Sequence, residues 1–134
     1  MNQTGPRGEL LVAEQLMAHG WTVTAPLFTA AHYDLLAVKS GGVFRRIQVK
    51  STASQHYYKS SRPHYSFQLA RGPSSKKRYS PDELDFFICC ALDTRRFWVM
   101  PYDINAAITV KIYNGAGSKI HDYESAWWLL DKAE

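Results

Sequence analysis

Three polar side chains stand in two apolar runs that read as adjoining strands: Asp34 opens "DLLAV", and Gln48 and Lys50 close "VFRRIQVK". Residues two apart in a strand project from one face, so Gln48 and Lys50 point one way and Ile47 and Val49 the other. Ser40, Gly41 and Gly42 join the runs as a hairpin turn. A three-residue turn pairs Lys39 with Val43 and sets Asp34 opposite Gln48. A two-residue turn shifts the pairing by one and faces Asp34 away, unless a bulge restores it. In the first register a carboxylate, an amide oxygen and an ammonium converge; in the second they form an ordinary exposed hairpin face. The converged set suits Mg²⁺, a hard ion held by one or two carboxylates and other oxygens. Asp34 would anchor it, the Gln48 oxygen and the Val49 carbonyl would join, and Glu9 would hold a metal water or a second ion. Lys50 would orient or deprotonate an attacking water and offset charge at a phosphoryl centre.

The elements that must position these residues follow from pattern. Pro6 and Gly20 bracket an amphipathic helix whose apolar face would use Leu10, Ala13, Leu16 and Met17, with Glu9 in its first turn. "WTVTAP" alternates as a short strand. "LDFFICCALDTRRFWVMPY" is a second hairpin, and "HYSFQLA" and "ITVKIY" are further strands. "YESAWWLLDKA" reads as a closing helix packed through Trp127 and Leu130. With no repeat and no linker, residues 1–134 form one mixed α/β domain.

Charge is concentrated. The chain carries a net +4, but Leu35 to Pro81 holds ten Lys or Arg and no acid. Such a block marks a face for a polyanion. Within and around the long polar stretch from Ser51 to Tyr79, aromatic and basic residues interleave, as suits phosphate contact and base stacking. The residues expected to make such contacts are Ser51, Thr52, Tyr57, Lys59, Arg62, Lys76, Lys77 and Arg78.

Other classes are excluded or disfavoured. The N-terminus lacks the basic start and apolar run of a signal peptide, and no apolar stretch nears the ~20 residues of a membrane span. Cys89 and Cys90 are adjacent, so in a strand they face opposite ways, and neither has a metal-ligand partner at suitable spacing. They read as buried hydrophobes of a reducing, cytoplasmic setting.

Glu9, "YDLLAV" and "IQVKST" together resemble the PD-(D/E)XK nuclease superfamily, in particular a branch with group I intron homing endonucleases in which the third motif reads QxK. The resemblance runs from "GELLVAEQLMAHGWTV" to "YSPDELDFFICC". It implies a restriction-endonuclease-like core, an N-terminal helix followed by a central mixed sheet flanked by helices. It makes Asp34 the central metal ligand, Gln48 the second motif position, Lys50 the catalytic lysine and Glu9 the accessory acid. Tyr33 stands where the motif has Pro, and Gln48 where it usually has an acid. The literal Pro81-Asp82 is a decoy, since it follows the lysine strand. The implied activity is a Mg²⁺-dependent DNA endonuclease, with Mn²⁺ substituting. The substrate would be double-stranded or branched DNA, and the enzyme a homo-oligomer, dimer or tetramer, because two strands need two sites. The alternatives are a Holliday junction resolvase or other structure-selective nuclease, and a DNA-binding module of the same fold that has lost cleavage.

Overall fold

The computed structural model describes residues 2–28, 31–57, 62–71, 77–104, 108–115 and 118–132, with the backbone alone at 71, 77 and 78. Helix α1 (Thr4–Ala18) is followed by β1 (Thr22–Thr24), β2 (Leu35–Lys39) and β3 (Val43–Thr52). Next come β4 (His64–Gln68), β5 (Ala70–Arg71), β6 (Lys77–Arg78), β7 (Phe86–Ala91), β8 (Arg96–Pro101) and β9 (Thr109–Tyr113). The central sheet has the order β1-β2-β3-β7-β8; β3 and β7 run parallel and the other neighbours antiparallel. Two further pairs, β4–β9 and β5–β6, form separate two-stranded ladders.

The alternation of β3 and β7 divides the core in two. Ile47, Val49, Ile88 and Cys90 face α1 and pack with Val12, Leu16, Trp127 and Leu130. Phe87, Cys89 and Ala91 face the other way, beneath Tyr65, Phe67, Val110 and Ile112 of the β4–β9 pair. The adjacent cysteines therefore serve opposite cores, as their spacing predicts. Burying an aliphatic side chain of this kind contributes about 1.5–3 kcal/mol, so both faces are well anchored. Helix α1 covers one face of the sheet; the β4–β9 pair covers the other, with Ile120 and Tyr123 packed beside it.

Three sequence expectations need correction. Leu10 and Met17 are 71% and 56% exposed, while Gly8, Val12 and Leu16 make the buried stripe of α1. The helix is turned so that Gly8 lies on β3: a Cβ there would stand 1.7 Å from Ser51 Oγ. It also starts at Thr4, ahead of Pro6, which puts Glu9 beyond the first turn. The closing segment is not one α-helix but two 3₁₀ turns, Lys119–Tyr123 and Trp127–Asp131. Between them Glu124 bridges to Trp98, Ser125 donates its N–H to the Phe97 carbonyl at 2.8 Å, and Ser125 adopts φ +53°. Pairing to β8 thus takes these residues out of any helix. Gly20, with φ +92°, does end the first helical segment as predicted.

Among the described residues no helix is long and apolar enough to cross a membrane.

Candidate active site

The hairpin adopts the three-residue turn. Lys39 pairs with Val43 and Leu35 with Ile47, and Gly41 and Gly42 take φ +87° and +80°, conformations that suit glycine. Asp34 therefore falls at the end of β2, beside Gln48. Its N–H donates to the Ile47 carbonyl at 2.8 Å, and its Oδ2 accepts the Val49 N–H at 2.9 Å. Where β2 leaves β3, the Asp34 carboxylate takes over the ladder, satisfying a backbone donor that would otherwise be orphaned. One oxygen is thereby fixed, while Oδ1 accepts no hydrogen bond among the described residues.

Lys50 lies two residues beyond Gln48 on the same face. Its Nζ donates to the Ala70 carbonyl at 3.4 Å and stands 5.4 Å from the centre of the Tyr79 ring. The strand register sets it beside Cys89 of β7. Burial lowers the Lys50 pKa, a shift opposed by Asp34 and more weakly by the Cys89 thiol. Cys89 is itself fully buried, and burial pushes its thiol far up, so it stays protonated.

The carboxylates shift the other way. Burial raises the Asp34 pKa, partly countered by the Val49 N–H and by Lys50. Burial also raises Glu9, and the Asp34 charge adds to the effect, which sets the two acids within electrostatic reach. The absent side chain of Gly8 lets α1, which carries Glu9, approach β3. Two partly desolvated, mutually repelling carboxylates are stabilised by a cation.

Gln48 is half-buried, and its side chain takes no hydrogen bond among the described residues. With an amide at this position, no cluster of three His, Cys, Asp or Glu side chains forms among the described residues. The oxygens of Asp34, Glu9 and Gln48 are hard donors, with neither thiolate nor imidazole among them. That set fits a Mg²⁺-class ion and is a poor match for zinc or copper.

The expected DNA contacts are divided. Ser51 is a correction: it faces α1, and its Oγ is buried under Gly8 without a partner, so it is not displayed to a phosphate. Its parity with Ile47 and Val49 could have revealed this. Thr52 lies on the Gln48/Lys50 face and donates to the Ser54 carbonyl at 3.3 Å. Tyr57 is exposed and donates to Gln55 Oε1 at 2.9 Å. The Arg62 guanidinium lies 4.7 Å from the centre of the Tyr113 ring. Lys59 and Lys76 lie outside the described residues, as do the side chains of Lys77 and Arg78; the backbone of these last two forms β6.

Pro81-Asp82 lies in the turn before β7, where both carbonyls accept from the Arg46 guanidinium. It supports the fold. The seat of Lys50, formed by the Ala70 carbonyl and Tyr79, was not predicted; nor was the approach at Gly8, although a glycine inside a helical pattern hints at close packing.

The family model for PD-(D/E)XK endonucleases matches residues 1–127. The chain belongs to the PD-(D/E)XK endonuclease family. A bacterial homing endonuclease of known structure has the same fold, with a TM-score of 0.75 at 20% identity over 95% of this chain and 90% of that one. Among curated proteins, none matches in sequence. In this PD-(D/E)XK protein, the β2–β3 hairpin brings Asp34 beside Gln48, with Lys50 two residues on. The restriction-endonuclease-like core expected from the sequence is the observed one.

Proposed function

We propose that this PD-(D/E)XK protein is a metal-dependent DNA endonuclease that hydrolyses phosphodiester bonds, with a homing-endonuclease-like mode of action. The observation that carries the reading is the setting of Asp34: its carboxylate is pinned by the Val49 N–H, beside Glu9 and Lys50. Asp34 and Glu9 hold a divalent ion, Mg²⁺ with Mn²⁺ as a substitute, aided by the Gln48 amide oxygen and the Val49 carbonyl. Such an ion, when bound, polarises the scissile phosphate and lowers the pKa of a coordinated water.

Lys50 accounts for the rest of the chemistry. Its lowered pKa brings the neutral amine nearer to working pH, so it can take a proton from the attacking water. In its charged form it offsets negative charge on the phosphoryl oxygens. Thr52, Tyr57, Lys59, Arg62, Lys76, Lys77 and Arg78 guide the duplex, and a homo-oligomer supplies the second site needed to cut both strands.

One observation favours a second reading. Gln48 replaces an anionic ligand with a neutral one, which suits a DNA-binding module with a silent site. Incubation of supercoiled plasmid with Mg²⁺ or Mn²⁺ decides between them. Cutting by the wild type that is lost in Asp34→Ala and Lys50→Ala supports the enzyme; tight binding without cutting under either ion supports the silent module.

A further inference from the structure

A groove of about 280 Å³ lies between the segment entering β4 and the chain leaving β9. It is lined chiefly by Arg62, Lys111, Tyr113, Asn114, Ser118 and His121, with no Asp or Glu among the described residues that line it. Arg62, Lys111 and His121, from three separate segments, thus meet on one concave surface. Arg62 is stacked on Tyr113, its guanidinium 4.7 Å from the ring centre, which orders the charge at the groove. Lys111 is exposed on β9, a point charge without rigid geometry. The groove is tied to the active-site strand: Asn114 Oδ1 accepts from Gln55 Nε2 at 2.8 Å, and Gln55 lies on the chain that leaves β3 past Lys50.

We propose that this groove is a second docking site for the sugar–phosphate backbone of duplex DNA, apart from the cleavage site. Arg62 and Lys111 neutralise phosphates, and the His121 ring and the Ser118 hydroxyl donate to their oxygens. Contacts of this kind fix register and orientation and carry no sequence information. Strand spacing along β3 and β4 sets the groove roughly 15–25 Å from Lys50. At 3.4 Å per nucleotide along one strand, that is about 4–8 base pairs from the scissile bond. The ligand assignment rests on the DNA reading given above, and the test separates the two.

The test is a salt titration of duplex binding in EDTA, where no cutting occurs, comparing wild type with Arg62→Gln/Lys111→Gln/His121→Gln. The expected result is a slope of log K against log salt that is shallower by about 2–3 in the triple variant, equally for unrelated duplexes. Lys111→Gln alone, shallower by about 1, keeps the test readable if loss of Arg62 loosens the Tyr113 stack. In the wild type, ethylation of phosphates about 4–8 base pairs from the cut should impair binding. Unchanged slopes in both variants overturn the groove and leave the cleavage reading intact. Shallower slopes with a wild type that never cuts support the groove and sink cleavage. A wild type without salt-sensitive DNA binding overturns both.

Discussion

The Asp34 carboxylate accepts the backbone N–H of Val49 at 2.9 Å, so the proposed metal ligand is also a structural cap on the strand that carries Lys50. Asn at this position keeps an oxygen for that N–H and sheds the buried charge; Ala loses both. Asp34→Asn should therefore be more stable than Asp34→Ala by about 1–2 kcal/mol, although both fail to cut DNA. In EDTA at neutral pH, Asp34→Asn should also melt at or above the wild-type temperature. Thermal unfolding of the three proteins checks this, and equal midpoints for the two variants would remove the capping role.

The raised pKa values of Asp34 and Glu9 fix the sign of a pH effect. The folded protein retains protons that the unfolded chain, with carboxyls near ~4, has already released. The stability contributed by those protons is present at low pH and lost as pH rises through the folded-state values. Metal must displace the same protons, so cleavage should rise with pH along an acid limb lying above the ordinary carboxylate range. Raising Mg²⁺ tenfold should move that limb to lower pH, because metal and proton compete. Rate profiles at two Mg²⁺ concentrations measure the shift; a limb that ignores Mg²⁺ contradicts the assignment.

Lys50 is half-buried against the Ala70 carbonyl and Tyr79, and its lowered pKa suits a proton acceptor. Lys50→Ala should reduce the cleavage rate by about 10²–10⁴-fold while leaving Mn²⁺ affinity nearly unchanged. Arg keeps the charge but cannot give up a proton at working pH, so Lys50→Arg should fall almost as far. Single-turnover cleavage alongside calorimetric Mn²⁺ titration distinguishes the roles. Near-full activity in Lys50→Arg would make Lys50 an electrostatic group and not a base.

How far the site could be read in advance depended on the range of the determining interactions. The Asp34–Gln48–Lys50 placement rests on a local turn, and Ser-Gly-Gly with two positive-φ glycines sets the register that Leu35 and Ile47 adopt. The basic block was less legible, because several cations serve the fold through distant partners. Lys39 binds Asp131 at 2.5 Å, and Arg45 donates to the carbonyls of Leu130 and Lys132 at 3.0 and 2.9 Å. Arg46 forms a fork with Asp85, its Nε and Nη2 at 3.1 and 3.0 Å from the two carboxylate oxygens. Partners so far along the chain leave no mark on local pattern, so a run of charge overstates the surface available to DNA. The phase of α1 was hidden for a similar reason: Leu10 and Met17 look like core, but the contact with Ser51 decides which face turns inward.

That contact gives the last prediction. A methyl group at Gly8 would lie 1.7 Å from Ser51 Oγ and 2.7 Å from Ser51 Cβ, too close for either to remain in place. Alanine favours a helix over glycine by about 1 kcal/mol, yet overpacking of this kind costs about 1–3 kcal/mol. Gly8→Ala should therefore destabilise the protein and, by lifting α1 from β3, weaken Mn²⁺ binding through displacement of Glu9. Ser51→Ala alone removes a buried hydroxyl that has no partner, so it should be neutral or stabilising and leave DNA affinity unchanged. Ser51→Gly removes both close atoms, leaving its Cα at an ordinary 3.9 Å from the new methyl. In the Gly8→Ala/Ser51→Gly double variant, metal affinity should return toward the wild-type value. Chemical denaturation and Mn²⁺ titration of the wild type, Gly8→Ala, Ser51→Gly and the double variant form a double-mutant cycle. Strict additivity across it would mean that Gly8 is not what brings Glu9 to Asp34.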